Sequence, residues 1–90
     1  QPNVIDFRRT PWENRVEMRW ERVPGALIYQ VERTLPDAEP EATWERVGLT
    51  TRPKLAVERE RNGKRYAYRV CAIGAHLQGP YSPVKMPMAA

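Results

Sequence analysis

Cys71 and His76 are the only thiol and the only imidazole in this chain of 90 residues, and five positions separate them. A nucleophilic pair of this kind needs an ionised thiol and a third group that orients the imidazole. Neither is in prospect. Alternation along the residues around Cys71 places it outward on a strand, as a partly covered thiol, and His76 falls in a loop between Gly74 and Gly79. Glu39 and Glu41 are a possible carboxylate pair, but no apolar wall accompanies them to raise a pKa for acid–base work. Asp37-x-Glu39-x-Glu41 also alternates oxygen ligands as a calcium loop does. It lacks the glycine and the spacing of one, and Pro36 and Pro40 stiffen it without building a cage. A single cysteine excludes an intrachain disulfide and a cysteine-rich zinc site. There is no glycine-rich phosphate loop. The residues therefore point to a non-catalytic chain, with no catalytic or metal-binding residues and no cofactor.

The elements that position these residues read as strands. Nine prolines argue against long helices. Val4 to Phe7 forms a short first strand. Val16, Met18 and Trp20 alternate with Arg15, Glu17, Arg19 and Glu21, the period of a half-buried strand, with Trp20 at the centre of the core. Pro24-Gly25 is a turn signal. Tyr29 and Val31 face inward on the next strand, and Gln30 and Glu32 face outward. Residues 35–43 are a loop, and Trp44 to Leu49 is a short strand near an edge. After Pro53, Leu55 and Val57 point inward, and Asn62-Gly63 marks a hairpin turn. Tyr66, Tyr68, Val70 and Ala72 form the longest inward run, with Arg69, Cys71 and Ile73 outward. Residues 74–80 are a loop, and Tyr81 to Met86 is a last strand broken by Pro83.

About seven short strands at this spacing specify an all-β fold, an immunoglobulin-like antiparallel sandwich in one domain spanning residues 1–90, with its core between about 4 and 86. A domain of this size buries roughly 60–65% of the surface of its unfolded chain, with little left for a deep pocket. No apolar run reaches the ~18 residues of a membrane span. Gln1 is not an initiator methionine, so the chain reads as one domain of a larger protein, with any targeting signal outside it.

The net charge of +4 is uneven. Residues 1–45 hold six Arg/Lys and nine Asp/Glu, whereas residues 46–90 hold nine Arg/Lys and only Glu58 and Glu60. Arg59, Arg61, Lys64, Arg65 and Arg69 make a basic strip. Single-strand binding interleaves cations and aromatics in one groove. Alternation here sends Tyr66 and Tyr68 inward and Arg65 and Arg69 outward, so no nucleic-acid partner is expected.

The order of Val16-x-Met18-x-Trp20, Pro24-Gly25-Ala26, Tyr29-x-Val31, Asn62-Gly63-Lys64-Arg65-Tyr66-Ala67-Tyr68-Arg69-Val70-Cys71-Ala72 and Gly79 with Tyr81-Ser82 resembles a fibronectin type III domain over nearly the whole chain. The resemblance implies that topology. It makes Tyr66 the tyrosine-corner residue, with a hydroxyl bonded to upstream backbone, and Trp20 the core tryptophan of the second strand. Glu60 and Asn62 stand where the family usually has leucine and proline, and the Asn-Gly-Lys-x-Tyr form is closer to bacterial and phage members. Arg-Gly-Asp is absent, so integrin binding has no support.

The function implied is a spacer or protein-interaction module of a larger extracellular, cell-surface or virion protein, monomeric and without membrane contact. Its partners would be neighbouring domains of the same chain, another protein or a glycan. The candidate interaction face is Gln30, Glu32, Trp44, Arg69 and Ile73, on the outer side of one sheet. Trp44 there could stack on a sugar, making the chain a carbohydrate-binding accessory module, or fold over the sheet edge to cover Ile73. Trp12, in the loop before the second strand, is a lesser candidate of the same kind. A small enzyme built on Cys71 or His76 is the remaining alternative.

Overall fold

A computed structural model describes residues 5–35, 44–75 and 78–87. Among the described residues nine strands follow one another: β1 Asp6–Arg9, β2 Arg15–Arg19, β3 Ile28–Thr34, β4 Glu45–Thr50, β5 Lys54–Glu58, β6 Glu60–Arg61, β7 Lys64–Arg65, β8 Ala67–Ile73 and β9 Gln78–Tyr81. They form a three-stranded sheet in the order β1-β2-β5 and a four-stranded sheet in the order β4-β3-β8-β9, all antiparallel. The two-residue strands β6 and β7 make a separate hairpin. Its turn is Asn62-Gly63, both with positive φ (54° and 79°), the geometry that this dipeptide tolerates and most others do not.

The alternating residues meet between the sheets. Val16, Met18 and Val57 from one sheet pack with Tyr29, Val31, Tyr68 and Val70 from the other. Trp20 lies one residue beyond β2, is 5% exposed, and meets Tyr29 edge-on at 5.4 Å. Tyr29 satisfies its hydroxyl by accepting the Val23 N–H at 2.8 Å. Phe7 from β1 and Ile5 just before it complete the core, and Leu55 is only partly buried at its margin.

Three expectations are corrected. The first strand is shifted along the chain to Asp6–Arg9, paired with β2 from Asp6↔Arg19 to Arg9↔Val16. The last strand begins at Gln78, inside the segment expected to be loop, and stops at Tyr81. Pro83 is the reason it stops. Ser82 replaces the lost ladder: its N–H donates to the Val70 carbonyl (2.7 Å) and its hydroxyl accepts the Val70 N–H (3.0 Å). A single bridge between Tyr68 and Lys85 resumes the pairing. Gly79 allows the strand its close approach, because a Cβ there would lie 3.3 Å from the Ala72 carbonyl oxygen.

The third correction concerns the tyrosine corner. The hydroxyl that reaches back to upstream backbone belongs to Tyr68, which donates to the Glu58 carbonyl. Tyr66 is buried too, but its ring lies under the Arg33 guanidinium, 4.2 Å away, and its N–H donates to the Arg59 carbonyl at 3.1 Å. Burial pushes the Tyr68 phenol up to about 12, an effect that Arg33 partly opposes.

The registers also fix the direction of the chain. Asp6 lies beside Arg19 at one end of the sandwich. At the other end Lys85 pairs with Tyr68, and the Arg65 guanidinium donates to the Pro87 carbonyl at 2.8 Å. The chain enters at one end and leaves at the other.

Candidate functional site

Gln30, Glu32 and Arg69 come together on the outer face of the four-stranded sheet because β3 and β8 pair them directly, Gln30 with Cys71 and Glu32 with Arg69. Opposite charges directly across an antiparallel pair attract. The Arg69 guanidinium donates to Glu32 Oε1 from Nε at 2.9 Å and from Nη2 at 2.6 Å. Trp44 joins from the start of β4 and Tyr81 from β9. The guanidinium lies 4.1 Å from the centre of the Trp44 ring and 4.0 Å from that of Tyr81. Both distances are well inside cation–π range. Trp44, Arg69 and Tyr81 thus form a stack across the sheet, tied down by Glu32.

Trp44 therefore covers Arg69. Ile73, expected on the same face, lies four residues along β8 from Arg69, roughly 13 Å at the rise of a strand, where it pairs with Ile28 and Gln78. Tyr81 was missing from the expected face. Its signal was present in the sequence as an aromatic opposite an outward position of β8. The misplaced start of the last strand concealed it.

Cys71 does point to this face, but it is fully buried, not partly covered. Its cross-strand neighbours are Gln30 and Tyr81. The side chains of these two neighbours bond to each other: the Gln30 amide donates to the Tyr81 hydroxyl at 3.1 Å. Burial pushes the Cys71 thiol up, and Glu32 adds to the shift. Burial likewise raises the Tyr81 phenol, with Cys71 and Glu32 contributing. An activated nucleophile needs the opposite shift. His76, Asp37, Glu39 and Glu41 lie outside the described residues, and among the described residues no group of three His, Cys, Asp or Glu gathers as a metal site would require.

Of the basic strip, Arg69 is committed to the stack, and Arg59 and Arg61 sit at the chain-exit end. Two surface clefts mark the ends of the three-stranded sheet. Arg19, Arg22, Arg52 and Lys54 line one of about 390 Å³ around the edge of Trp20. Arg9, Trp12, Arg15 and Arg59 line the other, of about 440 Å³.

The two-sheet fold agrees with that of solved structures. An Fn3-like protein from Clostridium thermocellum superposes with a TM-score of 0.78 at 19% identity, over 97% of this chain and 88% of that one. This chain has the fibronectin type III fold. The twitchin kinase region from C. elegans, which joins an Fn3 domain, a kinase and an immunoglobulin domain, matches with a TM-score of 0.77 at 18% identity. Titin kinase with its flanking domains matches at 0.75 and 20% identity. The match takes in 97% and 92% of this chain but only 16% and 15% of those two, so the fibronectin type III unit there is a module of a larger protein. No family model matches the sequence, and no curated protein matches it.

Proposed function

We propose that the chain is a non-catalytic spacer module of a larger extracellular, cell-surface or virion protein, monomeric, and joined in line to neighbouring domains. The observation that carries this reading is the placement of chain entry beside Arg19 and chain exit beside Arg65, at opposite ends of the sandwich. Such a unit adds a fixed length between whatever precedes and follows it. The test is replacement of the module, within its parent protein, by an unrelated rigid domain of equal length. Activity of the parent should survive that exchange and fail on simple deletion. Loss of activity on exchange would defeat the spacer reading.

A second reading is recognition of another protein through Gln30, Glu32, Trp44, Arg69 and Ile73. The mixed charges and aromatic rings of this face favour it, since tryptophan, tyrosine and arginine dominate binding hot spots. A glycan is less well served there, because a sugar stacking on the Arg69 side of Trp44 must displace the guanidinium. Trp44→Ala should remove binding through this face and leave the domain folded. Partner binding that persists in the folded variant would exclude Trp44 as its anchor.

A further inference from the structure

Trp12 is 69% exposed, yet the turn that carries it is firmly held. The Thr10 hydroxyl donates to the Arg15 carbonyl at 2.8 Å and accepts the Trp12 N–H at 3.1 Å. The Arg15 N–H returns to the Trp12 carbonyl at 3.3 Å. Asn14 then ties the turn to the segment after β5. Its side-chain amide donates to the Glu60 carbonyl (3.0 Å), its side-chain oxygen accepts the Glu60 N–H (3.2 Å), and its backbone carbonyl accepts the Arg59 N–H (2.9 Å). The backbone that carries the ring has lost its ordering entropy before any ligand arrives.

Three arginines surround it. Arg9, Arg15 and Arg59 line the same cleft of about 440 Å³, with Glu13 also on its wall. None of the three is ion-paired among the described residues. Arg59 Nε is buried without a hydrogen-bond partner, so this guanidinium reaches the cleft under-compensated. A bare indole face beside unpaired guanidinium groups suits a ligand with one flat, weakly polar surface and one carboxylate. The cleft volume is in the range of small-ligand sites.

We propose that this cleft binds a uronic-acid oligosaccharide, with one pyranose ring on Trp12 and its carboxylate held by Arg15 and Arg59. A nucleic-acid strand fits less well, because it stacks successive bases on several aromatics, and Trp12 is the only one here. The cleft at the opposite end, with Arg19, Arg22, Arg52 and Lys54, supplies an internal control: more positive charge, but a tryptophan that is buried.

The test is calorimetric titration of the whole chain with tetragalacturonate, its methyl-esterified neutral counterpart, a tetraglutamate peptide and a short oligothymidylate. Tetragalacturonate should bind, and the neutral ester should bind roughly tenfold more weakly or worse. Trp12→Ala and Arg15→Gln should each weaken tetragalacturonate binding roughly tenfold, Trp12→Phe should restore most of it, and Arg52→Ala should leave it unchanged. Unchanged circular dichroism and melting of Trp12→Ala confirm that the loss is not unfolding. No binding of tetragalacturonate overturns the proposal. So does equal loss in Arg52→Ala, or binding of the peptide or the oligothymidylate as tight as that of the uronate. The spacer reading is independent of all these outcomes.

Discussion

Trp12 is largely exposed and Trp44 is partly covered; both lie near arginine, and they play opposite parts. At Trp44 the side chains bond to one another: Glu32 holds Arg69, and Arg69 fills the space between Trp44 and Tyr81. At Trp12 the backbone does the bonding, through Thr10, Asn14 and Glu60, and the side chains of Trp12, Arg9, Arg15 and Arg59 are left uncommitted. The first region spends its polar capacity on the domain itself. The second keeps its capacity for something else. Residue type and a neighbouring arginine do not separate the two tryptophans; their exposure and the destination of the neighbouring hydrogen bonds do.

The comparison is broken most directly at Arg69. Arg69→Ala removes two cation–π contacts and a charge-assisted pair, and it leaves the Glu32 carboxylate largely buried without its partner. Each cation–π contact contributes about 0.5–1 kcal/mol and the charged bond somewhat more, so a loss of about 2 kcal/mol is expected after allowing for the partial exposure of the arginine. Urea denaturation measures it. A midpoint equal to that of the parent would mean that the stack is decoration and that Trp44 is as uncommitted as Trp12.

Tyr68 joins the two regions, since its hydroxyl holds the Glu58 carbonyl and the segment after Glu58 anchors the Trp12 turn. Tyr68→Phe should cost about 1 kcal/mol for the lost hydrogen bond, and Tyr66→Phe less. The reverse order would return the corner to Tyr66. The same phenol predicts an alkaline limit. Its folded pKa, about 12, exceeds the ordinary value of 10. Between those values the unfolded chain has released the proton and the folded chain retains it, so stability falls as pH rises through this window and is fully present below it. The fall should be shallower in Tyr68→Phe; an identical pH profile would show that another group sets the limit.

The sandwich was legible because its signals are local and mutually consistent. Val16-Met18-Trp20, Tyr29-Val31 and Tyr68-Val70 alternate with charges, and Asn62-Gly63 can adopt the positive φ that its hairpin needs. The outer face was legible for the same reason: period two puts Gln30, Glu32 and Arg69 on one side. What alternation does not carry is how far a neighbour's side chain reaches. Cys71 has the outward phase, yet it is buried, with Gln30 and Tyr81 as its cross-strand neighbours. Tyr66 and Tyr68 share one phase, so alternation could not say which hydroxyl meets Glu58. The Trp12 site was harder still, because its rigidity comes from an asparagine bonded to residues 46 positions away.

That rigidity is open to a finer test. Thr10→Val removes both the acceptor for the Trp12 N–H and the donor to the Arg15 carbonyl, and should cost about 1 kcal/mol. Trp12→Ala removes a far larger side chain from the same turn, but one whose surface is mostly in water, and should change stability by no more than about 0.5 kcal/mol. The smaller residue therefore matters more to folding, and the larger one less. Thermal melts of the two variants side by side decide the point. If Trp12→Ala proves the more damaging, the indole packs against the domain as Trp44 does, and the distinction between the two tryptophans fails.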